Sequence, residues 1–320
     1  MAKQSTILVT GVGAVIGYGI IKSLRKAELP VRIIGMDIHG DAYGRDLADG
    51  FVQAVPAASE DYLPFVQRLV AEHKIDLIIP GIEADLYPLG RHRASIPTRI
   101  VLNTDQCLEL SRSKLETARF FADQPFAIPT LHACGYTECV ARLGLPFIFK
   151  LVSSHASKGL TLIENAVQFD YAVARAGVGA CVYQRRIGSD DEEYTVGAFG
   201  DGTGRYVDSI ILRRRLGQDG STARAWFVAD DPAIRATVDK VFALLKPVGP
   251  TNVQLRKHDG VAYLLEINPR ISSACSIRTR MGYNEPEMCV RHFLWNEALE
   301  PKAKRPGSVV RFLDDHFTEG

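Results

Sequence analysis

No stretch of this 320-residue chain is apolar for more than a few residues, and neither sign of charge dominates, with 38 Lys plus Arg against 37 Asp plus Glu. A membrane-crossing helix needs about 20 apolar residues, and runs such as Ile7 to Val9 and Leu77 to Ile79 are only strand-length. A formal charge of +1 supplies no general field for nucleic acid or acidic lipid, so any anion site must be built locally. Cysteine is scarce. The six thiols at 107, 134, 139, 181, 275 and 289 form no C-x-x-C pair and no zinc spacing. With no secretory signal recognisable at the N-terminus, a reducing cytoplasm is the expected compartment. Also missing are a G-x-S-x-G elbow and an evident Cys-His pair, which disfavours a covalent nucleophile.

What is present is ordinary globular composition, 46% hydrophobic and 23% charged, at a length that suits two or three domains. Residues 1 to about 104 alternate β-branched runs with helix-length segments, which reads as parallel α/β. The first run enters a turn with Gly11, Gly13 and Gly17, and the second ends at Asp37. This approaches a dinucleotide fingerprint, but the spacing G-x-G-x-x-x-G is one residue too long. An oxidoreductase is the outside reading, and it leaves two thirds of the chain unexplained.

After Asn103 the pattern changes. Thr104-Asp105 caps one helix, and Ser113 to Glu116 reads as a capping box opening another. Phe147 to Lys150 reads as a strand feeding a small polar loop, Ser153 to Gly159, and beyond Ala180 the chain is strand-rich. An α+β module with antiparallel sheet is expected there. The predicted division is 1–104, 105–180 and 181–320.

The most informative stretch is Leu264-Leu-Glu266-Ile-Asn268-Pro269-Arg270. In a strand, residues two apart share a face, so Glu266 and Asn268 point together with Arg270 nearby. A carboxylate beside an amide oxygen suits Mg²⁺, and a guanidinium suits a phosphoryl group. Upstream, Asn252-Val-Gln254-Leu-Arg256 alternates likewise, and His258-Asp259-Gly260 signals a hairpin. An odd loop of three residues would put Gln254 on the face of Glu266, and a two-residue loop would send it to the opposite face.

With these two strands the chain resembles the ATP-grasp superfamily, most of all the ATP-binding unit of the carbamoyl-phosphate synthase large subunit. The resemblance implies a parallel α/β (pre-ATP-grasp) domain followed by a two-part ATP-grasp module that holds ATP with Mg²⁺ between two sheets. It implies Glu266 and Asn268 as metal ligands assisted by Gln254, and Arg270 at the transferred phosphoryl group. Lys114 and Lys150 resemble the phosphate-contacting lysines, and the loop with Ser157, Lys158 and Gly159 resembles the phosphate lid. Tyr183 to Ile187 matches the adenine hinge, with Gln184 where the family usually has Glu. Glu193 matches the ribose acid, with Glu192 and Asp191 as the alternatives. Arg215, then Arg213, would reach phosphate or substrate because alternation puts both on one face. Glu83 and Asp85 could receive a substrate ammonium group, and Arg278 or Arg280 an acid.

The implied activity is an ATP-dependent carboxylate–amine ligase working through an acylphosphate. A phosphotransferase that stops at phosphoryl transfer and a nucleotide-binding sensor are the alternatives. Expected partners are a small carboxylate and a small amine, with no nucleic acid and no membrane, and a homodimer is compatible.

Overall fold

The computed structural model describes residues 4–153, 159–177 and 179–312. Near-continuous apolar strands form the first layer: β1 (Ser5–Thr10), β2 (Val31–Asp37), β3 (Gly50–Gln53), β4 (Leu77–Ile79) and β5 (Arg99–Ile100). All pair in parallel in the order β3-β2-β1-β4-β5. Strands buried on both faces must be apolar throughout, and Ile7, Leu8, Val9 and Ile78 are wholly buried. The crossover helices are α1 (Val15–Lys26), α2 (Tyr62–His73) and α3 (Glu83–Arg91). Strand order reverses between β1 and β4, where α/β sheets open a crevice at their strand C-terminal ends. There Gly81 donates its N–H to Thr10 Oγ1 at 3.2 Å. A Cβ on Gly81 would stand 2.1 Å from the Thr10 carbonyl oxygen, so only glycine lets the two turns meet.

Two short helices follow, α4 (Asp105–Ser111) and α5 (Lys114–Phe120). Both caps expected from the sequence form: Thr104 accepts from Cys107 N–H, and Ser113 from Glu116 N–H. A four-stranded sheet comes next, with β6 (Thr130–His132), β7 (Phe147–Leu151), β8 (Thr161–Ile163) and β9 (Cys181–Arg185) in the order β6-β9-β7-β8. Helices α6 (Tyr136–Leu143) and α7 (Ala166–Ala176) cover it, gathering Phe147, Phe169 and Tyr183 into one core. Cys181 to Arg185, read from sequence with the last module, thus pairs in this smaller sheet.

The largest sheet is β14-β13-β10-β11-β12-β15, antiparallel throughout. Its strands are β10 (Glu193–Asp201), β11 (Tyr206–Leu216), β12 (Thr222–Val228), β13 (Val248–His258), β14 (Val261–Asn268) and β15 (Ser308–Val310). One face buries Val196, Ile211, Val253, Leu255 and Ile267 against Val238, Val241 and Phe242 of α8 (Pro232–Leu245). Asp231 starts that helix by accepting from Ala233 and Ile234 N–H. Beyond β14, α9 (Cys275–Arg280) and α10 (Glu285–Cys289) pack on α1, so Ile20, Ile21 and Leu24 share a core with Cys275, Ile277 and Met281. The α/β plus α+β class expected from the sequence is the one observed, and the first layer is locked to the last by this shared core.

The β13–β14 hairpin departs from the expected loop. His258 pairs with Val261, so the loop is two residues, Asp259-Gly260, both at positive φ (48° and 77°), as the favoured hairpin turn requires. Two residues alone would have turned Gln254 away from Glu266. A bulge reverses the parity: Leu255 pairs with Leu264 and Gln254 with Glu266, leaving Leu265 unpaired between them. Gln254 and Glu266 therefore share a face, for a reason different from the one the sequence suggested.

Candidate active site

The polar face of β13 and β14 lines a cavity of about 950 Å³ enclosed also by the smaller sheet and by the turns after β1 and β4. On it Gln254 stands opposite Glu266 and Asn252 opposite Asn268. Lys114, the first residue of α5, and Lys150, near the end of β7, line the cavity as well, as does Glu83 at the start of α3.

Two charged clusters organise this wall. Glu193 Oε1 accepts from Arg214 Nη2 and Nε at 2.7 and 3.1 Å, and its Oε2 from Arg256 Nη2 at 2.6 Å. Burial opposes ionisation of Glu193, but Arg214 and Arg256 outweigh it and hold the carboxyl below its ordinary range. Arg214 Nη2 also donates to Gln254 Oε1 at 2.8 Å, tying the acid to the hairpin. In the second cluster Arg270 Nη2 donates to Glu83 Oε1 at 2.5 Å and to Asn268 Oδ1 at 3.0 Å. This ion pair joins the first layer to the large sheet across the cavity.

Lys150 makes no hydrogen bond or ion pair among the described residues. Burial pushes its ammonium down to about 8; Glu266 opposes the fall, and Lys114 and Arg256 add to it. A cation already strained by its surroundings is ready for an incoming anion. Glu266 likewise makes no hydrogen bond among the described residues, and its carboxylate faces the cavity. No group of three His, Cys, Asp or Glu that could cage a metal occurs among those residues. One carboxylate flanked by two amide oxygens, each with a second lone pair, fits a cation such as Mg²⁺ that completes its shell with phosphate and water.

The family described as "ATP-grasp in the biosynthetic pathway with Ter operon" matches residues 190–316. Among solved structures, the chain is similar to N5-carboxyaminoimidazole synthetase from Staphylococcus aureus complexed with ADP, at TM-score 0.75 and 16% identity over 97% of this chain and 82% of that one. A biotin carboxylase from Campylobacter jejuni in complex with an ATP ligand gives TM-score 0.73 and 16% identity over 95% and 74%. The chain has the ATP-grasp fold. Among curated proteins, the formate-dependent phosphoribosylglycinamide formyltransferase of Xanthomonas oryzae pv. oryzae (strain PXO99A) is 23% identical over 224 residues, covering 61% of this chain and 55% of the relative. The chain thus spans about half the length of the curated relatives it matches.

Within this ATP-grasp cleft the structure brings together Lys114, Lys150, Gln184, Ile187, Glu193, Gln254, Glu266, Asn268, Arg270, Arg215 and Glu83. Others lie elsewhere. Arg213 shares the face of Ile211 toward α8, and its guanidinium lies 5.1 Å from the Trp226 ring, outside the cavity. Strand alternation puts Arg214 on the cavity side instead, where it is buried. Arg215, like Arg213, has its guanidinium beside Trp226, at 5.8 Å, yet it also lines the cavity and pairs with Asp191 at 2.8 Å. Asp85 is 4% exposed and accepts from Tyr62 Oη at 2.7 Å, beneath the turn and away from the cavity. Arg278 is wholly buried, paired with Glu285 at 3.1 Å and bonded to Thr195 and Asn252, so it braces the wall from behind. Both corrections have one cause: a charged side chain near a cleft is buried whenever neighbouring elements satisfy it. For Glu193, three of the four lone pairs are already occupied, so at most one remains for ribose. Gly159 stands at φ 74° outside the cavity lining, and Ser157 and Lys158 fall outside the described residues.

Arg214, Arg256 and Asn252 line the cavity as well, beyond the residues that the sequence nominates. Arg256 and Asn252 lie on the alternation of Gln254, which is signal enough, whereas Arg214 needs the pairing of β11 with β10 to fix its side.

Proposed function

We propose that this protein is an ATP-dependent carboxylate–amine ligase whose working parts are 1–104, 105–185 and 186–320, the second boundary lying past β9 because that strand pairs in the smaller sheet. The observation that carries the reading is the convergence of Lys150, from the smaller sheet, with Glu266, Asn268 and Arg270, from the large one, on one cavity. A carboxylate resists amines at neutral pH because its oxygen is a poor leaving group. Transfer of the γ-phosphoryl group of ATP to a carboxylate oxygen, with ADP leaving, turns that oxygen into phosphate. The amine nitrogen then attacks the acyl carbon, the C–O bond breaks, and phosphate departs as the nitrogen loses its proton.

Lys150 and Lys114 would hold the nucleotide phosphates, and Arg270 would meet the transferring group once freed from Glu83. Mg²⁺, held by Glu266 with Asn268 and Gln254 beside it, would supply charge neutralisation at the phosphates. Enclosure between the two sheets would limit the access of water to the acylphosphate. Glu83 stands where an ammonium group of the amine substrate could replace Arg270 as its partner, and Arg215 would meet the small carboxylate once released from Asp191. No described helix is long and apolar enough to cross a membrane. The six free thiols accord with a reducing cytoplasm.

The test is ADP release with MgATP across amino acids, sugar acids and amines, with Glu266→Ala as control. Release that requires both an acid and an amine and disappears in the variant supports the ligase. Release with the acid alone points to a kinase, and release indifferent to Glu266 contradicts the site.

A further inference from the structure

At its apolar end the cavity is walled by Ile128, Ile148, Leu162, Ile187 and Leu265, a setting suited to a flat base, with Gln184 the polar side chain on β9 among them. Gln184 is 8% exposed, and its strand neighbours are Thr130 on β6 and Ile148 on β7. A glutamine amide presents either an acceptor or a donor, depending on which way it is turned. Whichever group faces the base decides between a 6-amino purine, which donates, and a 6-oxo purine, which accepts.

Here the direction is set by a chain of hydroxyl chemistry. Thr130 Oγ1 lies 2.8 Å from the Ile128 carbonyl oxygen. A carbonyl can only accept, so the single hydroxyl proton of Thr130 is committed to it, and Oγ1 can only accept from its other neighbour. That neighbour is Gln184 Nε2 at 2.9 Å. The –NH₂ end must therefore face Thr130, which leaves Oε1 for the cavity, with no partner among the described residues.

We propose that Thr130 is a positioning residue that acts through Gln184 to make the cleft prefer a purine nucleotide with a 6-amino group over one with a 6-oxo group. This rests on the nucleotide-binding reading above and names the base that site selects. A Glu in place of Gln184 would need no such orienting partner, since both its oxygens accept; the amide does.

The experiment compares dissociation constants for MgATP and MgITP, which differ in the group at position 6 and in the proton the 6-oxo base carries on N1, in the wild type, Thr130→Val and Thr130→Ser. Valine frees the amide to turn, so the ATP-to-ITP preference falls about ten-fold or more, while serine retains it. Gln184→Met should collapse the preference in the same way if the valine variant fails to fold. A preference unmoved in a folded Thr130→Val or Gln184→Met variant overturns the proposal, as does a parallel loss for both nucleotides, which would mark a merely structural residue. Failure of the wild type to bind either nucleotide overturns the ligase reading along with it.

Discussion

The glycine turn after β1 and the β13–β14 hairpin make opposite use of polar groups. In the turn, Asp37 Oδ2 accepts from Gly13 N–H at 2.8 Å and Oδ1 from His39 N–H at 3.0 Å. A Cβ on Gly17 would stand 2.1 Å from the Gly11 carbonyl oxygen. The acid and glycines that suggest a dinucleotide site are therefore occupied with their own loop and its packing. In the hairpin region, Glu266 and Lys150 face a large cavity and have no hydrogen bond among the described residues. Spacing nominates a site, whereas polar capacity left open toward a cavity is what can receive a ligand.

The largest effect should come from breaking the wall beneath the hairpin. Arg214→Ala leaves Glu193 and Gln254 short of a buried partner and should lower unfolding free energy by about 3 kcal/mol in a denaturant titration. Arg213→Ala, on the other face, should change it by under about 0.5 kcal/mol. Next, Glu266→Ala should cut MgATP-dependent turnover roughly 10²- to 10³-fold, while melting stays close to that of the wild type. Lys150→Met removes a charge-assisted phosphate contact and should weaken MgATP binding about 10- to 100-fold.

The ammonium of Lys150 also gives a pH signature. Its folded pKa of about 8 lies below the ordinary 10.5, so the unfolded chain binds more protons between these values. The destabilisation is fully present below pH 8 and is relieved as pH rises toward 10.5. Lys150→Met should therefore melt higher than the ligand-free wild type at pH 7, and the gap should narrow across that window. Nucleotide affinity of the wild type should decline as pH rises through 8 and the cation is lost. Smallest for binding is Asp37→Ala, expected to cost about 1–3 kcal/mol of stability and leave MgATP affinity unchanged.

How far the sequence discloses this molecule differs between the same regions. Parallel strands announce themselves because burial on both faces demands apolar runs, and the caps at Thr104 and Ser113 are local side-chain events. Glu266, Asn268 and Gln254 share a face through alternation, which is also local, but the bulge at Leu265 that makes it so is not visible without the pairing. Arg213 and Arg214 show the same limit. Alternation says that they oppose each other, and the pairing of β11 with β10 together with the packing of α8 against Ile211 says which one is inside. Asp85 and Arg278 were misplaced because Tyr62 and Glu285, their partners, come from other elements or another turn.

The most direct test is calorimetric titration of MgATP into the wild type, Lys150→Met and Asp37→Ala, with NADH as a second ligand. The account predicts equal MgATP affinity for the wild type and Asp37→Ala, a large loss in Lys150→Met, and no NADH binding. Loss of nucleotide affinity in Asp37→Ala with its retention in Lys150→Met would contradict it and return the site to the glycine turn.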